Sequence, residues 1–507
     1  AAWQALWHDP QTWRALCMSL WTGLMASGLS VALAAWLLSR HFPGPGWARL
    51  LRFLSPMLAV PHAAFAIGLA FLIAPSGWLL RALSPWATGF DAPPPWLTTQ
   101  DPWGLGLIAV LVLKEVPFLL WTAATQLQRA DVAQRWTREL QVARSLGYGP
   151  RVAWWRVVWP QLWPRLRWPM LAVLAYSLTV VDMALLIGPT SPPTLAVLAW
   201  KALLDSDVAV NAQGAASAWL LAGLSVGVVG LLWPLPRLAF WRERWTDGER
   251  GNHRRQPAHT SALGFYSLLG IYLAVMLALA VGSVSGIWAF PALLPQTLSL
   301  QAWSAVAGSF STVTTTLTLA FSSALAALLW SVAWLEYAPP AWDRRLRPLL
   351  YLPLVLPPVL WVIGLHAMAL NLGLDARWSG VWLAHTLAAV PYVLIALSPA
   401  YTGFDARYQH ITASLGHGRA VFLWRVKWPL LRAALAASLA IGFAVSVAQY
   451  LPTLFVGAGR FASVTTEAVT LASGAQRSLT SAYAWLQWAL PAGLFGLAAW
   501  LGKPRRF

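Results

Sequence analysis

The chain has 507 residues, 58% of them hydrophobic and only 10% charged, with a mean hydropathy of +0.58. A soluble chain carries about 25% charged residues, so a soluble globular protein is excluded. The net charge of +18 and pI near 10.9 would suit nucleic acid unless the spans account for them, and the single cysteine, Cys17, excludes an intramolecular disulfide and any cysteine-rich metal site.

Apolar runs of about 20 residues, enough to cross a bilayer as a helix, recur along the chain. They lie at 15–39, 54–74, 105–125, 169–190, 212–235, 263–288, 309–334, 349–370, 381–400, 429–452 and 482–501. These predict an all-α polytopic membrane protein with eleven visible spans. With the N-terminus outside, most lysines and arginines fall in the inward segments 40–53, 126–168, 236–262, 335–348, 401–428 and 502–507. The outward segments keep only Arg14, Arg81, Lys201, Arg377, Arg460 and Arg477. Such asymmetry fixes orientation, puts the C-terminus in the cytoplasm and explains the high pI without nucleic acid. The inward stretch 236–262 is the longest strongly polar run. It reads as a basic linker between two membrane halves, 1–235 and 263–507. The outward segments 191–211 and 453–481, rich in Ser, Thr and Gly, suit short re-entrant elements.

The halves repeat one another. VPHAAFAIGL (60–69) matches LPPVLWVIGL (356–365), and WARLLRFL (47–54) matches DRRLRPLL (343–350). Further on, VPF (116–118) matches VPY (390–392). The closest pair is RSLGYGPRVAWWRVVWPQL (144–162) with ASLGHGRAVFLWRVKWPLL (413–431). Repeats decide architecture. The run 263–288 has no partner in the first half, so the pairing predicts one further helix within roughly 40 residues upstream, giving twelve spans. Six spans per half make the two repeats parallel, unlike the inverted repeats of many secondary transporters.

Each copy of the closest pair reads as a short helix ended by a left-handed glycine, Gly147 or Gly416. A second short helix follows, then Pro160 or Pro429 at the first turn of a span. A basic loop held by lipid headgroups would also explain one copy. Two copies at one spacing suit a shape that something else must fit.

These loops resemble the EAA motif of type I ABC-importer permeases, Glu-Ala-Ala-x3-Gly-x9-Ile-x-Leu-Pro. Gly147, Val157 and Pro160 match that spacing, as do Gly416, Val426 and Pro429, while Ala143 and Thr412 fall on its second Ala. The motif's Glu is replaced by Gln141 and His410, and its Leu by Trp159 and Trp428. Glu139 lies two residues away, on another side of a helix, and is no obvious substitute. The resemblance spans the chain and is to the fused, two-in-one permeases of thiamine and ferric-iron importers. It implies the type I permease fold, a multi-pass protein of the bacterial inner membrane, and coupling loops at about 139–160 and 408–429. Ala143, Gly147, Gly149, Arg156 and Pro160 would face one ATPase subunit, and Thr412, Gly416, Gly418, Arg425 and Pro429 a second. A periplasmic or surface substrate-binding protein would dock outside.

The chain has no Gly-x4-Gly-Lys-Ser/Thr phosphate loop, since its Gly502-Lys503 is followed by Pro504. It is therefore expected to be no enzyme and to bind no cofactor, with ATP and Mg used by the partner ATPase. Ionisable residues inside a bilayer are costly and are functional candidates. Lys114, Glu115 and Asp182 qualify, and the repeat sets Asp182 against Gln449. The plainer readings are charge compensation for Lys114 with Glu115, and hydrogen-bonding between helices for Asp182 and Gln449. His62, His366 and His385 read as packing residues. An ion-coupled secondary transporter with parallel repeats is the alternative function. A lipid-modifying membrane enzyme is the third class, with no clustered His, Asp or Glu to support it.

Overall fold

A computed structural model describes residues 2–44, 46–127, 130–233, 259–474 and 476–502. The linker 236–262 lies outside these up to residue 258, as does the tail beyond residue 502. Among the described residues regular structure is helical, apart from one isolated bridge between Ser285 and Leu298. Among the described residues eight helices are long and apolar enough to cross a membrane, or up to ten if each of two bent pairs is one span.

The chain divides into two units. The first comprises Ala1–Val281 and Ile287–Thr297, the second Gly282–Gly286 and Leu298–Phe507. In the first, the main helices are α1 (Pro10–His41), α2 (His62–Ile73), α3 (Leu105–Leu127), α4 (Ala130–Ser145), α5 (Trp159–Thr179), α6 (Asp182–Ile187), α7 (Val208–Leu232) and α8 (His259–Ser283). In the second they are α9 (Phe310–Tyr337), α10 (Pro358–Asn371), α11 (Trp378–Thr402), α12 (Arg407–Ser414), α13 (Arg432–Val447), α14 (Leu451–Gly457) and α15 (Arg477–Leu501).

Each unit is built on the same trio. α1, α3 and α5 pack on one another in the first, and α9, α11 and α13 in the second. Small residues let them approach, as is usual between membrane helices. α1 buries Ser19, Gly23, Ala26, Ser27, Ser30 and Ala34 along one stripe, and α9 buries Thr316, Ala320, Ser323, Ala324, Ala327 and Ser331. Ser27, Ser30 and Thr316 return their hydroxyls to the carbonyl four residues back, at 2.7, 2.7 and 2.8 Å, so these buried donors are satisfied within their own helices. The segments 191–211 and 453–481 hold short helices, Leu195–Leu203 and Val464–Ala472. Their first free N–H groups, orphaned as at any helix start, find hydroxyls on the first span of the trio. Leu195 N–H donates to Ser19 Oγ at 2.8 Å, and Val464 N–H to Thr316 Oγ1 at 2.9 Å.

α8 breaks the equivalence. By repeat it opens the second half, but its side chains pack in the first unit. Phe265 meets His41 and Phe53, and Tyr272 meets Phe65 with ring centroids 4.5 Å apart. Tyr272 also donates its hydroxyl to Leu113 O at 3.0 Å. Pro117, four residues on, has no N–H for that carbonyl, so the tyrosine supplies the missing donor. α8 also lies over Gly68, where an added Cβ would stand 2.6 Å from Val275 Cγ1 and 3.0 Å from its carbonyl oxygen. At the repeat-equivalent Gly364 nothing lies within 4 Å. We therefore expect opposite signs from one substitution. Gly68→Ala should destabilise by about 1–3 kcal/mol through overpacking, whereas Gly364→Ala should stabilise by up to about 1 kcal/mol through helix propensity. Thermal unfolding of the 507-residue chain in detergent checks this, and equal shifts would contradict the packing of α8 on α2.

The expected span 169–190 is two helices, α5 and α6, separated at Val180 and Val181. The span expected at 429–452 likewise ends at Val447 and resumes at Leu451. Cys17 is exposed.

Candidate functional site

The two motif loops fold alike. α4 ends at Ser145 and Gly147 takes φ +89°. α12 ends at Ser414 and Gly416 takes φ +76°. Both are left-handed, where a side chain is strained. The hydrogen bonds are also paired. Gly147 N–H donates to Arg144 O at 3.0 Å and Tyr148 N–H to Ala143 O at 3.1 Å. Gly416 N–H donates to Ala413 O at 3.0 Å and His417 N–H to Thr412 O at 3.1 Å. This is the Schellman termination, and its six-residue bond falls on the motif's second Ala position in both copies. Ala143 and Thr412 are buried beneath it, and Thr412 Oγ1 returns to Tyr408 O at 2.7 Å.

Gly149 and Gly418 cap the second short helix with extended backbone, their carbonyls accepting from Ala153 at 2.9 Å and Phe422 at 3.2 Å. The prolines correct the reading above. Pro160 does not open a span, because helical backbone already runs from Pro150 through Trp154–Val158 into α5. Residues 154–158 and 422–427 form wider π turns, closed by Trp159 N–H on Trp154 O and by Trp428 N–H on Leu423 O, each five residues back. A proline lacks the N–H for the carbonyl four residues before it and crowds that carbonyl. The spared groups belong to Arg156 and Arg425, inside each π turn, a feature frequent at functional sites. Arg156 sits 5.9 Å over the ring of Tyr148, and Arg425 is exposed. In the second unit the turn leads through Trp428–Leu430 to a 75° bend before α13.

What braces each loop was not visible in the motif. Glu139, set aside above, ties α4 to α5. Its Oε2 accepts from Gln161 Nε2 at 2.7 Å and its Oε1 from Arg135 Nε at 2.8 Å, while Gln161 Oε1 accepts from Trp136 Nε1 at 2.9 Å. Burial pushes this carboxyl up, but the Gln161 and Arg135 donors outweigh it and hold it below the usual range. It is ionised at neutral pH. The second loop has no acid at that place, since Tyr408 stands there. Its brace is Glu336, at the end of α9, which takes Arg419, Lys427 and Tyr401. Trp136 and Glu139 at three-residue spacing on one helix face were the available signal for the first brace; nothing local marked the second.

Of the pathway candidates, Lys114 is engaged. Its Nζ donates to Val60 O at 2.7 Å, just before α2, and lies 5.7 and 5.8 Å from the ring centroids of Phe65 and Tyr272, to one side of that pair. Glu115 is buried beside it on α3. Asp182 and Gln449 hold equivalent places, each at an interruption between two helices, 179 to 182 and 447 to 451. Backbone freed at membrane depth is tolerated where protein or a polar cavity covers it. Around Gln449 the cover is His385, which reaches Ser446 Oγ at 2.7 Å and Thr453 Oγ1 at 2.8 Å, one on each side of the break. His385 is thus a polar bridge rather than apolar packing. α6, starting at Asp182, packs on α2 and α3, and the ring of His62 of α2 lies tilted against that of Tyr176, centroids 5.2 Å apart.

Comparison with known proteins agrees with this architecture. The chain is 34% identical to the inner membrane ABC transporter permease protein YnjC of Escherichia coli over 518 residues, covering 99% of this chain and 92% of that protein. It is 26% identical to the thiamine transport system permease protein ThiP of Salmonella typhimurium over 472 residues, 89% of this chain and 81% of that protein. A shorter match, 35% over 129 residues, covers 23% of this chain and 49% of the molybdenum transport system permease protein ModB of Mycobacterium tuberculosis. No family model matches the chain. With near-complete coverage by a permease at that identity, and two copies of one membrane repeat, the chain belongs to the ABC transporter permeases, in their fused two-repeat form.

Proposed function

We propose that this permease is the translocating subunit of an ATP-driven importer, and that its loops at 139–160 and 408–429 each receive one cytoplasmic ATPase subunit. The observation that supports this is the double occurrence of one surface: a Schellman turn at Gly147 or Gly416, a glycine-capped helix and a π turn ahead of proline. Lipid headgroups require no such shape. The ATPases hold ATP and Mg and perform the hydrolysis, while this chain catalyses nothing and binds no cofactor. Its C-terminus lies in the cytoplasm, with the loops, and a substrate-binding protein delivers solute from the other side. The solute passes the interrupted helices at Asp182 and Gln449, with Glu115 and Lys114 on the same route. Thiamine, named for the 26%-identical relative, is the first solute to try, and carboxylates at Asp182, half-buried, and Glu115, buried, suit a cation.

Reconstitution tests the reading. With a candidate ABC ATPase subunit from the same organism, the chain in sealed vesicles should stimulate ATP hydrolysis equally with and without a proton gradient. Failure to associate with the ATPase, or solute flux driven by the proton gradient alone, would contradict it.

A further inference from the structure

The two loops are alike in themselves but are joined to the membrane helices differently. In the first unit the helix that follows Gly149 continues without interruption from Pro150 to Thr179. Displacing that loop displaces its own span. In the second unit the equivalent helix stops at Leu430, and the span resumes at Arg432 after a 75° bend. A bend at a break is a poor lever. The loop is instead fastened elsewhere.

The fastening is Glu336, one residue before the end of α9. Its Oε1 accepts from Arg419 Nη2 at 2.7 Å, and its Oε2 from Lys427 Nζ at 2.7 Å and Tyr401 Oη at 2.8 Å. Arg419 Nη2 also reaches the Glu336 carbonyl at 2.9 Å, one of the last-turn carbonyls that a helix leaves without a donor. The side chains of Glu336 and Lys427 are only 7% and 12% exposed, so neither charge is solvated in place of the pair. Breaking a buried pair leaves a desolvated charge, which is strongly unfavourable. Lys427 also lies 3.9 Å over the ring of Tyr401, whose hydroxyl accepts from Trp428 Nε1 at 3.2 Å. Cations kept for lipid headgroups would extend outward along the interface. Here Lys427 is turned inward and Arg419, half exposed, reaches back to the same acid.

The first repeat lacks all three members. Counting back from the helix ends at Tyr337 and His41, the place of Glu336 is held by Arg40. The places of Arg419 and Lys427 are held by Pro150 and Val158.

We propose that Glu336 is a positioning residue that straps the second docking loop to α9, so that ATPase movement enters the second half through α9 rather than through the span following the loop. The proposal rests on the docking function given above. It makes coupling asymmetric: the first loop drives its own helix, and the second drives the first span of its trio.

The test uses the full chain in lipid nanodiscs with the ATPase identified by that reconstitution, comparing wild type with Glu336→Gln and Glu336→Asp. Hydrogen exchange reads the strap directly. In Glu336→Gln, amides of 415–427 should exchange about fivefold faster, as expected when a local tie is lost, while 143–158 stay unchanged. A maleimide probe at Ser311→Cys, at the far end of α9, in a Cys17→Ser background, reads the transmission. ATP with vanadate should change its labelling rate about tenfold in wild type and in Glu336→Asp, within the range of ordinary coupling energies. That change should vanish in Glu336→Gln, with ATPase affinity altered less than about threefold. Unchanged exchange at 415–427, a retained labelling response, or loss of ATPase binding along with the response would each overturn the proposal. If wild type itself binds no ATPase, the docking function fails first, and the exchange experiment separates that result from failure of the strap.

Discussion

Gly416→Asp should leave the protein folded and inserted, cost it about 1 kcal/mol of stability, and abolish transport. The cost is that of a side chain in the left-handed region, and it is at the low end because aspartate tolerates that region better than most residues. No neighbour resists, since nothing lies within 4 Å of an added Cβ at Gly416. The damage falls on the surface offered outward. A carboxylate there should weaken ATPase binding by at least about 2 kcal/mol, roughly thirtyfold, as for other substitutions at the centre of an interface. Gly147→Asp should behave the same way, because a closing motion between two sockets fails when either is lost. Gly418→Ala is the control. Gly418 has φ −78° and ψ 172°, which any residue adopts, and open space around it, so the loop should keep its fold, and binding should weaken far less than in the aspartate variants because a methyl adds little to the docking face. Pull-down of the ATPase alongside uptake checks all three, and wild-type behaviour of both aspartate variants would make the loops ordinary lipid-facing elbows.

Asp182→Asn should lower uptake about tenfold at subsaturating solute while leaving expression and ATPase binding intact. The side chain keeps its size and loses its charge, at the start of α6 where the helix is interrupted. Hydrogen bonds to a charged group contribute about 1.5–3 kcal/mol, which sets the expected magnitude. Gln449→Leu, at the equivalent interruption, should have a smaller effect because no charge is removed. Unchanged uptake across a solute titration in Asp182→Asn would assign the residue to helix packing.

How much of this could be read from the chain depended on the range of the interaction. The Schellman turns at Gly147 and Gly416 close within six residues, and a glycine after a short amphipathic run announces them. The helix interruptions at Asp182 and Gln449 were hidden inside apolar runs. Only the repeat, by setting two polar residues in register, pointed to them. Pro160 and Pro429 were misjudged as helix starts because a π turn absorbs the missing N–H and lets the helix run through. The packing of α8 was illegible for another reason. The helix is apolar on every side, so periodicity gives it no preferred face, and its place shows in the contacts of Phe265, Tyr272, Val275 and Leu279. The strap at Glu336 joins residues 83 and 91 positions apart, beyond any local pattern. Even so, an acid at the inward end of a span that precedes a basic loop is a signal to look for such a tie.

The most direct test of the central claim, that the loop is duplicated because it docks twice, is native mass spectrometry of the purified complex with site-specific crosslinkers placed at Leu146 and at Leu415. Two ATPase subunits per chain are expected, with each crosslinker capturing one and the pair capturing both. A single ATPase per chain, or two that remain bound and uncrosslinked at these positions, would contradict it.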